Sequence, residues 1–181
     1  MLKLLKSISL AALTVLSLVV SVCSAQELAD YNLGTGDTIS IQVHGEEDLS
    51  FETRIGGDGT IRYPFLGDIK VTGRTVAQVR WLIADGLKGD YLDDPSVNVS
   101  VIEYRSFFIL GEVKNPQHYA YQPGLTVRQA IAIAGGMTER ASDEKIELKR
   151  FVNGELTVIQ NVQLDMAIEP GDTITIAQSF F

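Results

Sequence analysis

The chain has 181 residues with 15 Lys and Arg against 23 Asp and Glu, and its net charge of −8 argues against nucleic acid or anionic lipid as a partner, because both bind clustered cations. A lone cysteine, Cys23, excludes an intrachain disulfide, and the scattered acidic residues are typical of an ordinary solvated surface.

The first 25 residues have the pattern of a secretory signal peptide. Lys3 and Lys6 precede an apolar run from Ile8 to Val22 that is short for a permanent membrane span, and Cys23-Ser24-Ala25 supplies small residues before a cleavage site. Cleavage after Ala25 would leave 156 residues with a net charge of −10 and no cysteine. Lipidation of Cys23 is the alternative; Val22 argues against it, because Gly, Ala or Ser normally precedes an acylated cysteine.

A hexapeptide repeat brackets the rest of the chain. Gly36-Asp37-Thr38-Ile39-Ser40-Ile41 returns as Gly171-Asp172-Thr173-Ile174-Thr175-Ile176. Each copy predicts a Gly-Asp turn followed by a strand with one buried face, because its apolar residues alternate with polar ones. The alternative is two chance junctions of a common type.

The first half predicts short strands and one helix. The predicted strands are Thr38 to Val43, Phe51 to Ile55, Thr60 to Tyr63, Ile69 to Val71 and the alternating segment Val97 to Val101. A hairpin turn at Gly57-Asp58-Gly59 is expected to pair the second strand with the third. Thr75 and Gln78 form a capping box, which predicts a helix from Val76 to Lys88.

The second half repeats this pattern. Thr126 and Gln129 form a second capping box before a short helix that ends at Gly135-Gly136. The predicted strands are Phe107 to Val113, Ile146 to Phe151, Leu156 to Ile159 and Thr173 to Ile176, with a hairpin turn at Asn153-Gly154. With the junction near Glu103 to Ser106 and no Gly/Ser-rich linker, we expect an α+β protein whose two modules, each with a single main helix, pack directly together.

An ordered set of motifs resembles a known family. The first module carries Tyr31 to Ile41, Gly57-Asp58-Gly59-Thr60-Ile61, Pro64-Phe65-Leu66-Gly67, Gly73-Arg74-Thr75 and Pro95-Ser96-Val97, which resemble the polysaccharide export sequence domain. The second carries Leu110-Gly111-Glu112-Val113, Leu125-Thr126-Val127 and Ala134-Gly135-Gly136, which resemble the soluble ligand-binding β-grasp (SLBB) domain of Wza-type outer-membrane exporters. The resemblance implies a signal peptide at 1–25, an export domain at 26–104 and an SLBB domain with a C-terminal strand at 105–181.

The resemblance implies a periplasmic ring protein associated with the outer membrane, and no catalysis. Family members form homo-oligomeric rings, commonly octamers, through which capsular polysaccharide or exopolysaccharide passes, and they work with an inner-membrane polysaccharide co-polymerase. It implies no cofactor, metal site or catalytic residue, and leaves the glycan path unassigned.

Two departures from the family pattern stand out. Full-length Wza-type exporters continue into further β-grasp repeats and a membrane-crossing helix, whereas this sequence stops at Phe181; we therefore expect reliance on a separate outer-membrane porin. Phe180 and Phe181 would then dock on that partner, the alternative being a frayed chain end. The family's usual Pro-Gly after the Gly-Glu-Val strand is here Pro116-Gln117.

Other candidate sites give weaker patterns. A glycoside hydrolase needs a pair of carboxylates, and the candidates are Glu46-Glu47-Asp48 and Asp93-Asp94. Neighbouring residues on a strand point to opposite faces, so they do not flank one glycosidic bond. His44 and His118 lack metal-ligand spacing. Trp81 is a candidate subunit interface residue, with core packing and sugar stacking as alternatives. The second functional hypothesis is a monomeric periplasmic glycan-binding module, and the third is a glycan-degrading enzyme.

Overall fold

The computed structural model describes residues 31–152 and 154–179. The predicted signal peptide with Cys23, and the terminal Phe180 and Phe181, therefore lie outside the described residues. From Asn32 onward the chain forms one compact unit. Its described part has two α-helices and many strands, which confirms the predicted α+β class.

The first module contains five strands and one helix. They are β1 Thr38–Val43, β2 Glu46–Arg54, β3 Thr60–Tyr63, β4 Gly67–Lys70, α1 Val76–Leu87 and β5 Val97–Glu103. Strand β1 lies at the centre of an antiparallel sheet ordered β2-β1-β5, and β3 pairs with β4 in a separate two-stranded sheet. The predicted first strand is thus confirmed and takes the central position.

The predicted pairing of the second strand with the third is wrong. Strand β2 pairs with β1, with Phe51 opposite Ile41, while β3 pairs with β4. The turn itself is present, because the Asp58 side chain accepts hydrogen bonds from the backbone N–H and hydroxyl of Thr60 at 3.1 and 2.6 Å. Turn chemistry predicts where a chain reverses, but the partner strand is chosen by burial.

Helix α1 begins at Val76 as predicted and ends at Leu87, one residue before the predicted Lys88, which is the C-cap. Thr75 Oγ1 accepts from the Gln78 backbone N–H at 3.3 Å, and Gln78 Oε1 accepts from the Thr75 backbone N–H at 3.0 Å, which is a complete capping box. Val79, Ile83 and Leu87 are buried and pack the helix towards β5.

The second module contains a five-stranded sheet and one helix. Its elements are β6 Phe107–Gly111, β7 Gln117–Tyr119, α2 Val127–Ile133, β8 Ala141–Val152, β9 Glu155–Ile159 and β10 Thr173–Gln178. The strand order is β7-β6-β10-β8-β9, with β10 parallel to β6 and antiparallel to β8. The predicted pairing across Asn153-Gly154 is confirmed by the antiparallel β8 and β9, and the second capping box is complete.

One face of this sheet forms the core of the second module. It is packed with helix α2, and its fully buried side chains are Phe107, Ile109, Ile146, Leu148, Ile174 and Ile176, joined by Val127, Ala130 and Ala134. The C-terminal strand β10 therefore lies inside the sheet, so the second copy of the repeat is as central to its module as the first copy is.

Tyr63 predicts alkaline sensitivity of the first module. Its hydroxyl donates to the Leu49 carbonyl at 3.0 Å, and burial raises the pKa of this hydroxyl from 10.0 to about 12. A folded-state pKa above the unfolded value means that the stabilisation is complete below pH 10 and is lost as the pH rises through 12.

We expect the free energy of unfolding, measured by urea titration, to fall across this alkaline range. Tyr63→Phe should lower stability by about 1–2 kcal/mol at neutral pH, because it leaves the Leu49 carbonyl unpaired, and should flatten the alkaline decline. An equally steep decline in Tyr63→Phe would assign it to other groups.

Candidate functional site: the repeated Gly-Asp turns and the exposed aromatic surface

The two copies of the repeat fold into the same turn. Gly36 and Gly171 have φ values of 95° and 87°, which favour glycine. In each copy the aspartate that follows this glycine makes two hydrogen bonds to the residue three positions earlier, one through its backbone and one through its side chain. The Asp37 backbone N–H donates to the Gly34 carbonyl at 3.2 Å while Asp37 Oδ2 accepts from the Gly34 N–H at 2.7 Å. Asp172 makes the same two bonds with Glu169, at 3.1 and 2.7 Å.

Both carboxylates are fully buried, and each is paired with an arginine. Arg150 binds Asp172 through both carboxylate oxygens, with Nε donating to Oδ1 at 2.9 Å and Nη2 donating to Oδ2 at 2.6 Å. Burial lowers the pKa of Arg150, but its hydrogen bond to Asp172 and the aspartate's charge outweigh burial and raise that pKa overall. This fork-to-fork pair is fixed further by Arg150 Nη1 and Glu169 Oε1 at 2.6 Å.

Arg105 completes the first turn from the junction between the modules. Its backbone N–H donates to Asp37 Oδ1 at 2.8 Å, and its Nη1 lies 3.3 Å from Asp37 Oδ2. The same side chain lies against the second turn, because a Cβ atom on Gly171 would be 2.8 Å from Arg105 Nε. Arg105 therefore touches both copies of the repeat.

Aromatic packing at the same junction connects the two modules. Tyr104, next to Arg105, contacts Tyr121 edge-to-face with ring centroids 5.5 Å apart. Burial raises the pKa of the Tyr104 hydroxyl, and the Asp37 carboxylate adds to the shift. These contacts agree with the expected direct packing of the modules.

The two aspartates stand out in the sequence as part of the repeat, whereas neither arginine does. Gly-Asp before a strand is common turn chemistry, and nothing in it requires a buried carboxylate. The aspartate at the second position of each repeat was the available signal. If that strand entry is buried, its carboxylate needs cationic or N–H partners. Which of the Lys and Arg residues are those partners is shown only by the fold, which brings Arg105 and Arg150 to the two aspartates.

Trp81 lies on α1, and 66% of its side chain is exposed to solvent. This exposure rules out the core-packing alternative within the chain. The interface role remains a prediction, as does the docking role of Phe180 and Phe181 outside the described residues.

A stacked pair of exposed aromatic rings is a second feature of the surface, and no pattern in the sequence predicts it. The rings of Phe65, in the β3–β4 loop, and Tyr91, just after α1, stack with centroids 4.8 Å apart and an interplanar angle of 29°. Their side chains are 67% and 47% exposed. The two residues are distant in sequence, and neither belongs to a periodic pattern.

The remaining candidates stay apart from one another. The acidic groups at 46–48 and 93–94 and both histidines are exposed, and within 31–152 and 154–179 no cluster of three or more His, Cys, Asp or Glu is placed to hold a metal. Tyr119 and Tyr121 pack against the core of the second module. No helix in the described ranges is long and apolar enough to span a membrane.

Comparisons with known proteins agree with this architecture. Residues 25–102 match the family described as polysaccharide biosynthesis/export protein, and residues 106–160 match the SLBB domain. The chain is 33% identical over 171 residues to the EPS I polysaccharide export outer membrane protein EpsA of Ralstonia nicotianae, covering 80% of this chain and 44% of the relative.

The names of two further relatives also refer to polysaccharides. The chain is 29% identical over 151 residues to the exopolysaccharide production protein ExoF of Rhizobium meliloti, covering 76% of this chain and 35% of the relative. It is 27% identical over 124 residues to the polysialic acid transport protein KpsD of Escherichia coli, covering 67% and 22%. The chain thus spans less than half the length of these curated relatives.

The two buried carboxylates should differ in their contribution to stability. We expect Asp172→Asn to lower the free energy of unfolding by about 3 kcal/mol, because its amide would turn donors toward a half-buried Arg150. Asp37→Asn should lower it by about 1–2 kcal/mol, since its ion pair to Arg105 is longer, at 3.3 Å, and Arg105 is more exposed than Arg150.

Urea unfolding monitored by circular dichroism measures both. Asp165→Asn is the matched control: its carboxylate is exposed and lies 3.5 Å from Arg128, so the change should stay within about 0.5 kcal/mol. Equal effects at all three positions would contradict the assigned role of the buried pairs.

Proposed function

Because the chain belongs to the polysaccharide export family, with an export domain followed by an SLBB domain, we propose that it is a ring component for export of capsular polysaccharide or exopolysaccharide. The family consists of export proteins and not enzymes. The observation that carries the proposal is the ordered match of both domains along one compact unit.

A closed ring needs two different contact surfaces on each copy, because its interfaces are heterologous. Exposed apolar side chains supply candidate surfaces on separate elements. Trp81 lies on the first helix, and the outer face of the second module's sheet carries Phe108, Leu110, Phe151, Leu156 and Val158, which are 43–69% exposed. We place Trp81 at the boundary between neighbouring copies, since exposed Trp residues are frequent interface anchors.

The proposal includes location and partners. The chain would act in the periplasm, associated with the outer membrane, alongside an inner-membrane polysaccharide co-polymerase and a separate outer-membrane porin. The name of one relative, the EPS I polysaccharide export outer membrane protein EpsA, supports the location. Co-purification after crosslinking of cells would test both partnerships.

Light scattering on residues 26–181, with and without mild detergent, tests the ring. We expect a closed oligomer of several copies. Trp81→Ala should dissociate it into folded monomers, with a loss of about 2 kcal/mol per contact if the residue is an interface anchor. Trp81→Phe is the matched control, because it keeps an aromatic ring and should retain most of the assembly.

The outcomes separate the alternatives. A strict monomer at every concentration would favour the monomeric glycan-binding module, and shortening of added polysaccharide would indicate a degradative enzyme. A Trp81→Ala variant that unfolds, or that keeps the full oligomeric mass, would contradict the interface placement.

A further inference from the structure

The β3–β4 loop holds a bulky aromatic residue in a strained backbone conformation. Phe65 has φ 64°, and the Leu66 backbone N–H donates to the Pro64 carbonyl at 2.8 Å, so that Phe65 is the central residue of a γ-turn. Positive φ is uncommon for non-glycine residues and is an outlier for a bulky one, and this form of γ-turn is rare. Glycine or asparagine would satisfy the backbone better, so the turn itself does not explain the phenylalanine.

The structure around the loop fixes the Phe65 ring against Tyr91. Leu66 lies close to α1, because a Cβ atom on Gly86 would be 2.9 Å from Leu66 Cδ1. Tyr91 is held by the turn that ends the helix, where its N–H donates to the Leu87 carbonyl at 3.2 Å. We call the stacked pair Phe65 and Tyr91 the aromatic platform; it is mostly exposed yet positioned from both sides.

A groove with a polar rim adjoins the platform. It is lined by Phe51, Arg62, Tyr63, Pro64, Phe65 and Gly67. Arg62, one of the lining residues, donates through Nε to Asp68 Oδ1 at 3.2 Å, and both side chains are largely exposed. Within the described residues, no hydrogen bond is made by the remaining polar atoms of this pair, which are Arg62 Nη1 and Nη2 and Asp68 Oδ2. Hydrogen-bond donors and an acceptor therefore lie together beside an apolar surface.

We propose that the aromatic platform and the Arg62–Asp68 pair form a contact site for pyranose units of a polysaccharide. A pyranose ring presents C–H groups on its face and hydroxyl groups, or a carboxylate, around its edge. The aromatic rings match that face, while the guanidinium and carboxylate match the edge. This inference rests on the proposed export function, of which it names the point of contact with the polymer.

An open, shallow site suits a polymer in transit. Passage requires binding that is favourable enough for entry and weak enough for release. A single stacking contact of about 0.5–1.5 kcal/mol meets that condition, and a ring would repeat it in every copy. A deep pocket enclosing the sugar would hold the chain in place.

Nuclear magnetic resonance titration of the protein tests the site. The probes are cellohexaose, a neutral oligosaccharide, and a galacturonate hexamer, an acidic one. We expect backbone shifts to concentrate at residues 62–68 and at Tyr91 with at least one probe, and a comparison of the two probes shows whether the Arg62 charge selects acidic sugars. Because apolar faces are common to pyranoses, no shifts with either probe at high concentration would overturn the proposal.

Two variants separate binding from folding. Phe65→Asn should weaken binding by about three- to tenfold, the loss expected for one stacking contact, while the thermal midpoint stays level or rises because asparagine tolerates positive φ. Ile133→Ala is the matched control, since that apolar side chain is 48% exposed on α2 of the other module, and it should bind normally. Equal losses in both variants would overturn the proposal.

The oligomeric mass, measured on the same samples, distinguishes the two proposals from each other. Sugar binding by a monomer would support the site and contradict the ring. A ring that binds neither probe would keep the ring and refute the site. If Phe65→Asn lowers the mass but leaves sugar binding unchanged, the platform is a contact between copies and the carbohydrate site is wrong.

Discussion

The fold depends on burying one carboxylate at the turn before each central strand. Asp37 precedes β1, the middle strand of the first sheet, and Asp172 precedes β10, the middle strand of the second. A buried charge is tolerated only when hydrogen bonds and an opposite charge replace its lost hydration. Each turn supplies both, through the backbone N–H three residues earlier and an arginine. The position of the central strand, and with it the register of its neighbours, is thereby set by electrostatics as well as by apolar burial.

The two turns differ in where their arginine comes from, and this difference couples the modules. Arg150 belongs to β8, so the second turn is completed within its own module. Arg105 lies between β5 and β6, so the first turn is completed by the connection to the second module, where the same side chain also lies against Gly171. The first module therefore reaches its full set of interactions only when the junction is in place. This explains why one compact unit forms from two modules of similar design.

Features formed by residues close in sequence were predictable, and contacts between residues distant in sequence were not. Both capping boxes, the repeated strands and the β8–β9 hairpin follow from residues within a few positions of one another, and the structure has them all. The mistaken pairing of β2 with β3 arose because a turn signal does not name the strand that buries the same apolar face. The roles of Arg105 and Arg150 and the stacking of Phe65 on Tyr91 depend on contacts 22 to 68 residues apart, and Phe65 also has a positive φ. Neither feature has a periodic signature in the sequence. The short β7 was missed for a related reason, since three residues carry too little alternation to recognise.

A protein that conveys a polymer has two opposing needs at its surface. Contacts between copies must persist, which favours large, well-packed apolar patches, whereas contacts with the polymer must be brief, which favours small stacking surfaces with hydrated polar edges. The surfaces proposed for these two roles lie on different elements. Trp81 on α1 and the outer face of the second sheet are proposed for assembly, and the aromatic platform with the Arg62–Asp68 pair is proposed for sugar contact. Because the two proposed surfaces share no residue, the two proposals together predict that a mutation can change the strength of assembly without changing the affinity for sugar. The proposed sugar contact would also give the positive φ of Phe65 a physical rationale, because it requires a largely exposed aromatic ring at that position.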